Sequence, residues 1–290
     1  MLATAVETVH HIPVWHAIVL GITQGLSEFL PISSSGHLIL VPWLFGWNEF
    51  TGPANTELNK TFDVALHIGT FVGAAAYFRS DLIRFAGGAL RSIRRRAVEG
   101  DDERMAWLLL LSAIPGALVG ALFASIIEEH LGQIWLIAVM LIVFGAVLLV
   151  ADRAPRRRAF ADFRARDALI MGICQAAALQ PGVSRSSVTI SAGRWLEFDR
   201  DSAARLSFLM SLPIIGGAGL YKGIEVAGSG GLPAGTEAAF FWGMVASAVT
   251  GALAVGLVLR VVRTHSFTPF VAYRAIVGLG VLVLVATGAR

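Results

Sequence analysis

The chain has 290 residues, 56% hydrophobic and only 15% charged, with a mean hydropathy of +0.70 and a formal charge of +3. Soluble domains carry about 25% charged and about 45–50% apolar residues, so this balance excludes a soluble core. The arginines cluster between apolar blocks, which argues for membrane topology and against a nucleic-acid partner, and the lone Cys174 excludes an internal disulfide framework and argues against a Cys-based metal site.

Residues 1–16 lack a positive leader and carry Glu7, so no cleavable signal peptide is expected. Next come residues 14–30 and 34–46, two apolar pieces separated by Pro31 and a serine cluster. Residues 62–78 form a Gly-rich crossing of near-minimum length, and 105–127 and 134–151 are long apolar crossings. A second broken pair, 167–179 and 186–196, is separated by Pro181 and another serine cluster. Residues 202–221, 238–262 and 269–287 complete six crossings. The pieces 34–46, 167–179 and 186–196 reach about 20 Å at about 1.5 Å per residue, short of the roughly 30 Å hydrocarbon core. Both broken pairs therefore read as re-entrant helical hairpins. The expected fold is an all-α integral membrane protein with a single membrane domain over residues 1–290.

Positive charge sets the expected orientation. Residues 79–104 hold seven arginines and 153–166 hold six, while the loop around Glu128, Glu129 and His130 has none. With the first two segments cytoplasmic, the N-terminus and first hairpin lie outside. The second hairpin, flanked by Arg194, Arg200 and Arg205, enters from the cytoplasm, Arg260 and Arg263 fall inside, and the C-terminus ends outside. The halves also resemble each other. Gly21-Ile22-Thr23-Gln24 before Pro31 matches Gly172-Ile173-Cys174-Gln175 before Pro181, and the stretch from Ser112 to Leu118 matches that from Ser247 to Leu253. One hairpin and three crossings per half make residues 166–288 an inverted copy of 14–151, with a site near the midplane where the hairpin tips meet.

Polar groups converge on the two breaks. Gln24 and Glu28, spaced i,i+4, share a helical face just before Pro31 and the run Ser33-Ser34-Ser35-Gly36-His37. An ionisable group inside a membrane segment costs about 2.5 kcal/mol or more, which marks Glu28 as functional against the blander reading of a helix-end carboxylate reaching water. Arg185 follows a Pro181-Gly182 turn and opens a short helix flanked by Ser184, Ser186 and Thr189. Its planar fork and the helix N-terminus suit an anion such as phosphate; the alternative is an arginine that snorkels to the interface. His37 reads equally as a general acid or base, a nucleophile, or a hydrogen-bonded interfacial residue. Asp63, His67 and Asp199 are assigned to helix packing and N-capping, Cys174 to filling, and His10, His11, His16, His130 and His265 receive no role.

These two motifs resemble those of the undecaprenyl pyrophosphate phosphatase family, the BacA-type enzymes. The first stands from Gln24 to His37 and the second from Pro181 to Thr189, and the resemblance covers nearly the whole chain. It implies hydrolysis of undecaprenyl pyrophosphate to the monophosphate carrier at the outer face of the bacterial cytoplasmic membrane, with bacitracin resistance. It also implies a divalent cation, Mg or Ca, held by Glu28 and Gln24. Many members have Glu where this chain has Gln24, and an amide oxygen is a weaker, neutral metal ligand. On this reading Glu28, Ser34, His37 and Arg185 are catalytic, with Ser34 attacking and His37 carrying the proton, or the reverse with His37 attacking. Gln24, Ser33, Ser35, Ser184, Ser186 and Thr189 bind substrate. The partners are an isoprenyl pyrophosphate and membrane lipid, and the outer apolar faces admit lipid or a second copy as a homodimer. The rival is a lipid flippase, since interrupted helices in inverted repeats also build transporters.

Overall fold

A computed structural model describes residues 12–50, 56–229 and 231–290. The expectations for Glu7, His10 and His11 fall outside these residues, as does the side chain of His130. Eleven α-helices follow in chain order among the described residues: α1 Val14–Phe29, α2 Ser34–Phe45, α3 Thr56–Tyr77, α4 Arg79–Arg95, α5 Asp101–Leu131, α6 Ile134–Ala151, α7 Ala165–Ala176, α8 Arg185–Trp195, α9 Arg200–Gly228, α10 Glu237–Thr264 and α11 Thr268–Ala286. Five of them, α5, α6, α9, α10 and α11, are long and apolar enough to cross a membrane, and α3 with α4 adds a sixth if the bent pair counts as one span. The chain is a multi-pass, all-α membrane protein.

Two expectations about connections are corrected. The arginine-rich stretch after residue 78 is no loop but the amphipathic helix α4, bent 88° from α3. Its apolar and small residues recur at helical spacing, so Phe85, Gly88 and Ser92 are buried while the arginines face outward. The turn expected around Glu128 falls later, because α5 continues to Leu131 and ends at Gly132.

Both short-helix pairs break for the same local reason. Leu30, pushed out of the helical region by the following Pro31, is extended at ψ 137°. Ser33 then adopts φ +79° and caps α2 by accepting from the Gly36 amide. At the second break Ser184 adopts φ +73° and caps α8 by accepting from the Ser187 amide. Asp199 caps α9 through the Ser202 amide, as its position predicts.

Helix packing depends on small residues. A Cβ on Gly25 of α1 would lie 1.9 Å from Thr250 Oγ1 and 2.6 Å from the Ser247 carbonyl of α10, and one on Gly172 of α7 would lie 2.4 Å from the Ser112 carbonyl of α5. Such backbone approach is how helices associate where lipid removes the hydrophobic drive. Ion pairs gather at one end of the bundle, joining Asp152 to Arg200, Asp81 to Arg205, Asp201 to Arg263, and Asp167 to Arg158. The Arg158–Asp167 contact lies beside the start of α7 and raises the Arg158 pKa. The start of α1, where His16 meets Glu49, the Glu57–Lys222 pair and the C-terminal Arg290 over Gly46 belong to the opposite end.

Candidate active site

The last turn of α1 carries Glu28, which is only 5% exposed. Its Oε1 accepts from Arg185 Nη2 at 2.7 Å, while its Oε2 accepts from Ser34 Oγ at 2.5 Å and from Gln24 Nε2 at 3.0 Å. Nε2 of His67, one turn into the buried part of α3, stands 3.5 Å from the same Oε2. One carboxylate therefore ties together both breaks and a third helix. Ser34 and Arg185 reach it because each immediately follows a positive-φ serine, so both side chains leave the first turn of a new helix toward the junction.

Beside this junction lies a cavity of about 280 Å³. Its lining is mixed: Glu28, Ser34, Ser35, His67, Gln175, Ser184 and Arg185 are polar, and Val64, Leu179, Ile214, Ile215 and Ala218 are apolar. A lining that combines a guanidinium with aliphatic side chains suits an amphiphile with an anionic head.

The remaining sequence candidates do not line this cavity, and each has a physical reason. Gln24 is fully buried behind Glu28 and turns its amide nitrogen to it. Ser33 faces the backbone, accepting from the amides of Gly36 and Gly182 and so joining the two breaks. Ser186 donates to the Leu30 carbonyl, and Thr189 donates to the Arg185 carbonyl and pairs with Ser207 Oγ. These four hold the breaks in shape; of the six expected substrate ligands, Ser35 and Ser184 reach the cavity. His37 also turns away: Nδ1 meets the Ser33 carbonyl at 2.7 Å and Nε2 meets the Tyr273 hydroxyl at 2.9 Å. The histidine at the cavity wall is His67, which the sequence reading assigned to packing.

Gln175 is the other polar residue of the cavity to which the sequence reading assigned no role. It is 3% exposed, and its Oε1 is buried without a hydrogen-bond partner. Its place in the Gly172-to-Gln175 match to Gly21-to-Gln24 was the available signal. His67 had its own, an ionisable side chain within an apolar helix, the criterion that picked out Glu28.

Beside the Glu28 carboxylate, Gln24 Oε1 is buried without a hydrogen-bond partner, so these two side chains are the ones that would hold a cation. Both Glu28 oxygens also accept from protein donors, Gln24 Nε2 among them, and no group of three His, Cys, Asp or Glu able to hold a metal occurs among the described residues.

Residues 17–280 match the family model described as bacitracin resistance protein BacA. The chain is 46% identical over 275 residues to an undecaprenyl-diphosphatase of Pelobacter propionicus, covering 94% of this chain and 97% of that one. It is 45% identical over 271 residues to one from Geobacter sulfurreducens, covering 93% and 97%. An undecaprenyl-diphosphatase of Thermomicrobium roseum is 42% identical over 290 residues, covering 96% and 99%. Matches of this length, together with a junction built from both sequence motifs, make the chain a member of the BacA family.

Proposed function

We propose that this chain hydrolyses undecaprenyl pyrophosphate to undecaprenyl phosphate and inorganic phosphate, returning the lipid carrier to cell-wall synthesis and conferring bacitracin resistance. The observation that carries this reading is the Glu28 carboxylate, which accepts from a serine hydroxyl and a guanidinium at once, in the wall of a cavity that also has aliphatic lining. In the proposed route the diphosphate head enters between the breaks and Arg185 takes charge from the terminal phosphoryl group. Glu28 Oε2 accepts the Ser34 proton as Ser34 Oγ attacks the terminal phosphorus. The bridging P–O bond breaks, the prenyl monophosphate leaves, and water then cleaves the phosphoserine to release inorganic phosphate. His67, 3.5 Å from Oε2, is the proposed proton carrier in place of His37, and it relays the proton between Glu28 and the departing oxygen.

A divalent cation, Mg or Ca, belongs to the proposal only as a counter-ion that the diphosphate brings with it, and no step here runs through it. The inverted repeat, residues 14–151 and 166–288, is likewise a proposal. It is supported by the matching serine caps, by α1 packing on α10 as α7 packs on α5, and by the start of α1 and the start of α7 belonging to opposite ends of the bundle. The positive-inside rule assigns the arginine-rich end to the cytoplasm of a bacterial inner membrane, leaving both termini outside and the site open to the periplasm. The test is phosphate release from detergent-solubilised protein supplied with undecaprenyl pyrophosphate, where no membrane remains to be crossed. A preparation that moves the lipid between leaflets but releases no phosphate would be a flippase instead.

A further inference from the structure

Arg274 stands in the middle of α11 and is fully buried. Its guanidinium donates only to main-chain carbonyls. Nη1 reaches Pro31 O at 3.0 Å, in the first break. Nη2 reaches Gly182 O at 2.8 Å and Val183 O at 3.1 Å, in the second. Nη2 and Nε also reach Met140 O and Leu141 O of α6, at 3.2 and 2.9 Å. Gly145 on the facing helix lies against the side chain, where a Cβ would be in ordinary contact with Arg274 Nε at 3.5 Å.

Carbonyls at a helix break have no intrahelical donor, and inside a membrane no water replaces it. Only a planar fork with five N–H donors can satisfy several carbonyls from two chain segments together. We infer that Arg274 is a positioning residue for the hydrolysis, a clamp that fixes the first break against the second and thereby sets Ser34 relative to Arg185. Pro31 lies three residues before Ser34, and Gly182 and Val183 lie directly before Ser184 and Arg185. The carbonyls that Arg274 holds therefore belong to the same short turns that aim the nucleophile and the phosphate-binding guanidinium. Its neighbour Tyr273 meets His37 Nε2 through its hydroxyl, so one turn of α11 reaches both the first break and the helix that follows it. This inference rests on the diphosphatase reading above.

The test compares wild type, Arg274→Lys and Arg274→Met as purified full-length proteins turning over undecaprenyl pyrophosphate, with kcat referred to the folded fraction found by size exclusion and circular dichroism. Lysine keeps the charge and loses the fork. Both variants are expected to lose about 100-fold in kcat, the cost of misplacing reacting groups by about 1 Å, while KM stays within about threefold. Lysine restoring more than half of wild-type kcat would overturn the clamp, because charge alone would then suffice. Normal turnover per folded molecule, or failure of both variants to fold, would also overturn it, by making Arg274 a residue of the fold alone. A wild type that releases no phosphate sinks the diphosphatase reading itself, an outcome separable from active wild type with active Arg274→Lys.

Discussion

Arg185 crosses 157 positions of chain to place Nη2 2.7 Å from Glu28 Oε1. The pair is buried, with side-chain exposures of 13% and 4%. In such surroundings a lone charge is poorly solvated, so each partner depends on the other. The same contact holds the guanidinium in the cavity wall, where the proposed reaction needs it.

Replacing Arg185 by Ala should therefore lower phosphate release by about 1,000-fold, the scale of losing a charge-stabilising donor in the transition state. Arg185→Lys should recover little, since a point charge cannot grip Glu28 and a phosphate together as the fork does. Retained turnover above a few per cent in the alanine variant would count against the assignment.

Breaking the pair from one side should also destabilise the fold by about 3–5 kcal/mol, because the remaining charge stays buried and unpaired. Glu28→Ala with Arg185→Ala should then cost well under the sum of the single changes. Unfolding midpoints of the four proteins in one detergent give the cycle; strict additivity would mean that the two charges do not depend on each other in the folded state.

The histidines separate on the same geometry. His67→Gln should reduce kcat by about 100-fold, the lower range for losing a positioned proton carrier. His37→Gln should act less on turnover than on stability, since both ring nitrogens are engaged with Ser33 and Tyr273, away from the cavity. Equal kcat losses with unchanged stability would restore His37 to the chemistry.

Much of this arrangement was legible in the sequence. Apolar block length gave the crossings, and the two Pro-and-Ser interruptions gave the short helices within a few residues, because Pro31, the capping serines Ser33 and Ser184, and Gly46 act locally. Glu28 and Arg185 were legible because membrane burial makes charge conspicuous. What stayed hidden depends on which way a side chain turns after the break. Ser33 and Ser34 are adjacent and chemically alike, yet one caps a helix and the other meets Glu28. His67 and Arg274 met the intramembrane-charge criterion but sat in runs already read as crossings, so hydropathy absorbed them. The helix α4 was masked for the opposite reason, its arginines reading as topology alone.

Close helix approach makes a further prediction at Gly25. A side chain there would overlap Thr250 Oγ1 and the Ser247 carbonyl. Gly25→Leu should push α1 from α10 and destabilise by at least about 1–3 kcal/mol, the range for overpacking. Because α1 carries Glu28, activity should fall along with the unfolding midpoint. A midpoint equal to wild type would show that the α1–α10 contact is looser than the backbone distances imply.

The cap at Ser33 can be separated from the strain at Ser33. Its φ of +79° suits glycine and is tolerated by asparagine, while its hydroxyl oxygen accepts from Gly36 at 3.3 Å and from Gly182 at 3.1 Å. Ser33→Ala keeps the strained backbone and loses the acceptor, Ser33→Gly relaxes the backbone and loses the acceptor, and Ser33→Asn supplies both. Stability should thus fall in the order Asn, Gly, Ala. The alanine variant should lose about 1–2 kcal/mol for the missing cap, or about 2–4 °C in midpoint for each kcal/mol. Since the Gly182 amide belongs to the other break, the alanine variant should lose kcat by more than its folded fraction accounts for, whereas a purely local cap would leave turnover per folded molecule unchanged.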